Sequence, residues 1–272
     1  MKKLLALLLA ALMVATFAAC SGDKDGEEDL KDYLQEEEAV DQIAVGDSVF
    51  YFDNIDSETV TITKYEGKDD PHDVVIPDTL NEKTVVGISE AAFYYHSNIK
   101  SIKIPETVTS IGKYAFARCS MLESITIPAA VEEMGVAAFE GCTSLKTLTI
   151  ASGSKLADIP MQAFSDCTAL AAVTVPATVK TVGTAAFLGC TSLAEVTVAE
   201  GVEVIGAQAF QDCKALATLT LPASVVSIGS LAFSGSENLY VEGVTCPANS
   251  VAAEFIATMK LENKPAETTP AE

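Results

Sequence analysis

One phenylalanine returns along this chain at a nearly fixed interval, and that interval limits the fold more than any other feature. Phe93, Phe116, Phe139, Phe164, Phe187, Phe210 and Phe233 are separated by 23, 23, 25, 23, 23 and 23 residues. A period in the twenties marks a solenoid, in which each repeat is one turn of a coil and buries its apolar side only by stacking on its neighbours. Stacked repeats build extended surfaces more readily than closed pockets, so the pattern argues for binding and against catalysis.

Alignment on the phenylalanine shows which positions face inward. An alanine precedes each one, from Ala92 to Ala232, and Cys119, Cys142, Cys167, Cys190 and Cys213 follow by three positions. His96 and Ser236 take that place in the first and last units, as atypical terminal repeats do. Six positions on stands Ile99, Leu122, Leu145, Leu170, Leu193, Leu216 or Leu239. Steps of three and four predict a short helical turn with one apolar face. The period then drops to two, as in Leu122, Ile125, Ile127, which predicts a short strand. Pro105, Pro128, Pro176 and Pro222 end strands, since proline cannot donate to a ladder. Gly112, Gly135, Gly183, Gly206 and Gly229 stand four residues before a phenylalanine, where either positive φ or backbone crowding calls for glycine. Strands one repeat apart pair in parallel about 4.8 Å apart, so seven rungs make a rod of about 35 Å.

Units such as AFEGCTSLKTLTI and AFLGCTSLAEVTV, joined by segments like IPETVTSIGKYAF, resemble the BspA-like leucine-rich repeats of bacterial surface proteins over residues 76–246. The resemblance implies an α/β solenoid: a right-handed coil with a parallel sheet on the concave face and short helices or turns on the convex face. It also implies adhesion to host or neighbouring-cell proteins. One departure is that no asparagine follows the strand at the usual ladder position, and the cysteine column stands ready to replace its bonding.

Lys2 and Lys3 precede an apolar run from Leu4 to Ala19, the pattern of a signal peptide over 1–19. The following FAAC resembles the lipobox of bacterial lipoproteins, with Phe17 where leucine is more usual, and this implies an acylated Cys20. The alternative is an ordinary secretory signal cleaved nearby. Residues 20–42 carry ten acidic side chains against Lys24 and Lys31, the composition of an extended tether. They resemble the export signal that sends Bacteroidota lipoproteins to the outer face of the outer membrane; the plainer reading is a spacer. Membrane attachment is then through lipid alone.

The formal charge of −21 becomes −23 once Lys2 and Lys3 leave, which excludes nucleic acid as a partner. Tryptophan is absent and aromatics are 7%, which weakens a sugar-stacking platform, although a glycan partner stays open. The five repeat cysteines share one inward column and read as small buried hydrophobes, with disulfides between adjacent rungs as the lesser alternative. Residues 43–75 form a β-hairpin that caps the first rung. At the other end, 247–262 is a capping helix with Asn249 or Ser250 as its N-cap, and 263–272 is a disordered tail. Asp69, Asp70, His72 and Asp73 read as an exposed turn before they read as a cation site. No motif for an enzyme, cofactor or metal occurs.

What remains for function is the exposed side of the strands. Two columns alternate with the buried positions: Ser101, Ser124, Thr147, Ala172, Glu195, Thr218, and Lys103, Thr126, Thr149, Thr174, Thr197, Thr220. Threonine suits exposed strands on propensity alone. The functional reading is a hydroxyl-rich, nearly uncharged strip that meets a protein ligand on a surface-anchored adhesion lipoprotein. A glycan-capturing lipoprotein of a nutrient-uptake system is the alternative.

Overall fold

The computed structural model describes residues 41–259. The signal peptide, Cys20, all but the last two residues of the tether, residues 260–262 and the tail lie outside them. The described chain begins with an antiparallel meander of β1 (Gln42–Val45), β2 (Ser48–Asn54) and β3 (Thr59–Glu66), whose alternating pattern buries Phe50, Phe52, Val60 and Ile62. Next come β4 (His72–Val75), β5 (Thr79–Leu80) and β6 (Lys83–Ile88). Each repeat then contributes one longer and one two-residue strand. These are β7 (Ile99–Lys103) and β8 (Ser110–Ile111), β9 (Ser124–Ile127) and β10 (Glu133–Met134), and β11 (Thr147–Ile150) and β12 (Asp158–Ile159). They continue as β13 (Ala172–Val175) and β14 (Thr181–Val182), β15 (Glu195–Val198) and β16 (Val204–Ile205), and β17 (Thr218–Thr220) and β18 (Ser227–Ile228), with β19 (Val244–Thr245) last.

The longer strands pair in parallel, in the order β4, β7, β9, β11, β13, β15, β17, β19, and make the strand face. The short strands form a second parallel ladder, with β3, β6, β8 and β10 in one sheet and β12, β14, β16 and β18 in another. Between the ladders runs a column of phenylalanine rings, each at most 1% exposed, with centroids 5.0–5.4 Å apart. Tyr65 extends it upstream of residue 76. Its ring stacks on Phe93 at 4.9 Å, and its N–H donates to the Ala92 carbonyl at 3.0 Å.

The segments around the phenylalanines are turns, not the helical turns that the three-and-four spacing predicts. In every repeat the residues two before and two after the phenylalanine have φ between about +54° and +78°, as at Ala91 and Tyr95 or Ala137 and Gly141. A left-handed residue at both positions breaks an α-helix. It also turns alternate N–H groups toward the next rung, so Ala91, Phe93 and Tyr95 donate to the carbonyls of Lys113, Ala115 and Ala117 at 2.9, 2.7 and 2.9 Å. The turn face is therefore a third backbone ladder, and it satisfies groups that a short helix would leave bare.

The glycine column answers crowding, because a Cβ at Gly135 or Gly229 would come within 2.3 Å of the backbone nitrogen of Lys113 or Ala207. Each such glycine also donates its N–H to the preceding rung, as Gly135 does to the Ile111 carbonyl at 2.8 Å. Pro160 occupies this column in the 25-residue repeat and has no N–H to donate. At that rung β10 and β12 fall into separate sheets.

Every repeat cysteine is a free, buried thiol that donates to the phenylalanine carbonyl one rung back, from Cys119 Sγ to Phe93 O at 3.2 Å through Cys213 Sγ to Phe187 O at 3.4 Å. The column thus supplies bonding as well as volume. Burial pushes the thiols up, to about 12 at Cys119 and Cys213, so they stay protonated and unreactive. At the C-terminal end α1 (Val251–Thr258) covers the last rung, with Phe255 edge-on to Phe233 at 6.3 Å. Ser250 is its N-cap, its Oγ accepting from the Ala253 N–H at 3.1 Å, while Asn249 is left-handed.

Candidate functional site

Alternation along the longer strands sorts their residues, with Leu148 and Ile150 of β11 only half-buried on the inward side. Ile125, Ile127, Val173, Val175, Val196 and Val198 are buried, whereas Ser124, Thr126, Thr147, Thr149, Thr174, Glu195, Thr218 and Lys103 are exposed, and Thr197 and Thr220 are half-buried. Parallel register stacks equivalent positions, with Thr126 beside Thr149, Thr174 beside Thr197 and Thr197 beside Thr220. The inner column runs likewise from Ser124 to Thr147 and Ala172, then to Glu195 and Thr218.

The strip is longer than the repeat phase suggests. Asp73 and Val75 pair with Ser101 and Lys103 at its head, where Ser101 Oγ donates to Asp73 Oδ1 at 2.7 Å, and Thr245 pairs with Thr220 at its foot. Asp73 and Val75 lie in a unit without the alanine and phenylalanine, and Thr245 falls two residues beyond the phase set by Phe233, so the repeat does not mark them.

The strip is also divided. Between β7 and β9 only Ser101 and Ser124 pair, and between β11 and β13 only Thr147 and Ala172 do. Lys103 is therefore not bridged to Thr126, nor Thr149 to Thr174. Both seams open as clefts: about 280 Å³ lined by Lys103, Glu106, Thr126 and Pro128, and about 520 Å³ lined by Lys146, Thr147, Thr149, Ala172, Thr174 and Pro176. The second lies at the 25-residue repeat, where two extra residues throw the strands out of step.

Charge is sparse on the strip and lies beside it. Lys146 and Glu123 pair across rungs at 2.9 Å, Lys155 and Glu132 at 2.7 Å, and Lys180 and Glu203 at 3.4 Å. All are exposed, so each contributes little to stability. Hydrogen bonding from Lys146 holds the Glu123 carboxyl below its ordinary range. Among the described residues no group of three or more His, Cys, Asp or Glu side chains could hold a metal ion. His72 has both ring nitrogens engaged, with the Tyr65 hydroxyl at 2.9 Å and the Asp70 carbonyl at 2.7 Å. Exposed aromatics do occur, as Tyr94, Tyr95 and Tyr114, but on the turn face.

The model of the BspA type leucine rich repeat region, built of six copies, matches residues 86–216 and 157–263. The chain belongs to this family. No curated protein matches the sequence. Among solved structures, a leucine rich cell surface protein from Faecalibacterium prausnitzii is 31% identical with a TM-score of 0.66, over 77% of this chain and 55% of the other. The chain thus spans about half of that protein. The Treponema pallidum leucine rich repeat protein TpLRR is 27% identical, also with a TM-score of 0.66, over 79% of this chain and 95% of the other. A leucine-rich repeat protein from Eubacterium ventriosum is 33% identical with a TM-score of 0.55, over 60% and 42%. Membership of the BspA-type family suggests a protein-binding or adhesion role at the cell surface, and leucine-rich repeat solenoids are typically binding scaffolds. No helix among the described residues is long and apolar enough to cross a membrane.

Proposed function

We propose that this protein is a surface-anchored adhesion lipoprotein whose strand face binds a protein ligand, held to the outer membrane through acylated Cys20 and facing outward. The observation that supports this most is the strip: exposed and half-buried hydroxyls on the seven parallel strands from β7 to β19, stacked in register between its two seams, with Lys103 and Glu195 the charges among its predicted positions. Such a surface offers many hydrogen-bonding groups at low desolvation cost, and the two clefts accept protruding side chains of a partner. Several acyl chains on Cys20 anchor a protein stably, and an acidic tether keeps the coil clear of the lipid.

Anchoring is tested by replacing Cys20 with Ala, which abolishes palmitate labelling and releases the protein from membranes; retention of label removes the lipoprotein reading. Display is tested by protease added to intact cells, which removes the solenoid if it faces outward. Binding is tested with residues 42–272 against immobilised extracellular-matrix proteins, collagen, laminin, fibronectin and fibrinogen among them.

A further inference from the structure

The turn face carries one departure from its own pattern. Two residues after each phenylalanine the backbone is left-handed, and three rungs place glycine there: Gly141, Gly189 and Gly235, at φ 70°, 72° and 78°. Asp166 and Asp212 hold the position in two others, and aspartate tolerates this conformation. The first two repeats instead have Tyr95 at φ 65° and Arg118 at φ 62°. A bulky side chain there costs conformational energy that glycine avoids; the turn bears such a cost elsewhere too, at Tyr114 and Leu231 two residues before their phenylalanines.

These side chains are exposed rather than packed. Tyr95 is 62% exposed, and its ring centroid lies 5.9 Å from that of Tyr94. Arg118 is the chain's single arginine. Among the described residues no carboxylate lies within 4 Å of its guanidinium. It shares a cleft of about 520 Å³ with Tyr95, Ser120, Glu140, Thr143 and Asp166. The volume falls within the roughly 300–1,000 Å³ of ligand sites.

We infer that this cleft binds a neutral oligosaccharide. An aromatic ring beside planar guanidinium and carboxylate groups is suited to a sugar: the ring covers a C–H face while the forked groups pair with vicinal hydroxyls. The charge pattern disfavours an anion, because Glu140, Asp166 and the chain's net charge of −21 repel it, while Arg118 offsets one of the two carboxylates. The site lies on the opposite face from the threonine strip and is independent of it.

The coil's own glycines supply the test. Tyr95→Gly and Arg118→Gly install the residue that three other rungs use, so both variants fold. Affinity electrophoresis of residues 42–272 through gels containing dextran, mannan, galactomannan, xyloglucan or starch reads the binding. We expect at least one polysaccharide to retard the parent, and each variant to weaken that retardation at least tenfold while its melting temperature holds or rises. Glu140→Gln with Asp166→Asn, which remove charge but keep hydrogen-bonding groups, weaken it less. Failure of all five polysaccharides to retard the parent overturns the inference, as does equal retardation of parent and variants.

Discussion

Ser236 stands in the last rung where Cys213 stands one rung earlier, yet the two side chains fare differently. Cys213 Sγ donates to the Phe187 carbonyl at 3.4 Å, whereas Ser236 Oγ is buried without a hydrogen-bond partner. The thiol's longer C–S bond carries its donor to the carbonyl one rung back; the hydroxyl is left desolvated. Ser236→Cys should therefore stabilise the fold by about 1 kcal/mol, and Cys167→Ser should destabilise it by about 1–3 kcal/mol. Urea unfolding reads both, and opposite signs are the required result.

The ring column makes a second prediction. Phe139 and Phe187 are fully buried between neighbouring rings 5.0–5.3 Å away. Truncating either to alanine should cost about 3–5 kcal/mol, because the stacked backbone cannot collapse into the space. A loss below about 1 kcal/mol would mean that the rungs are held by their backbone ladders alone.

Acid should loosen the N-terminal end first. His96 takes the cysteine position in its rung and meets the Tyr65 ring at 5.1 Å. Burial holds its pKa below the ordinary 6.5; Tyr65 and Glu66 oppose this, while His72 and Lys64 reinforce it. A base whose folded pKa is depressed binds fewer protons folded than unfolded, so its stability is full above about pH 6.5 and is lost as pH falls below it. Hydrogen exchange in β3 should accelerate relative to β13 between pH 7.5 and 5, and His96→Cys should abolish the difference.

Much of this molecule is readable from its repeats, and the exceptions share a cause. The phenylalanine, leucine and strand positions follow from periodicity because each has one stacking role. Steps of three and four suggested helix because alternating left-handed residues also bring Ala92, Phe93, His96 and Ile99 to one side. Tyr65 was hidden because it stands 28 residues before Phe93 in a unit without the alanine and cysteine. Its rung extends the strand-face strip to Asp73 and Val75. Tyr95 carries no signal in the sequence, since only φ shows that it stands at a left-handed position that three other rungs fill with glycine.

The extra residues of the 25-residue repeat do not all bulge outward. Gly153 does, with nothing within 4 Å of where its Cβ would be, but Ser154 is 3% exposed and its Oγ accepts from the Leu156 N–H at 3.1 Å. Deleting Gly153 with Ser154 should cost about 1–3 kcal/mol, while deleting Ser152 with Gly153 should cost less. Thermal unfolding of the two deletions separates them.

The central claim is that the strand face is where a protein ligand docks. Its most direct test replaces Thr149, Thr174 and Thr197 together with lysine and measures binding to whichever immobilised matrix protein captures residues 42–272. The exposed and half-buried strand positions should accept the charges with little change in melting temperature, and affinity should fall at least tenfold. Reversing the charges of Glu140, Asp166 and Asp212 on the turn face should change it less than twofold at physiological salt. Unchanged affinity in the lysine variant, with loss confined to the turn-face variant, would contradict the account and move the protein-binding site to the other side of the coil.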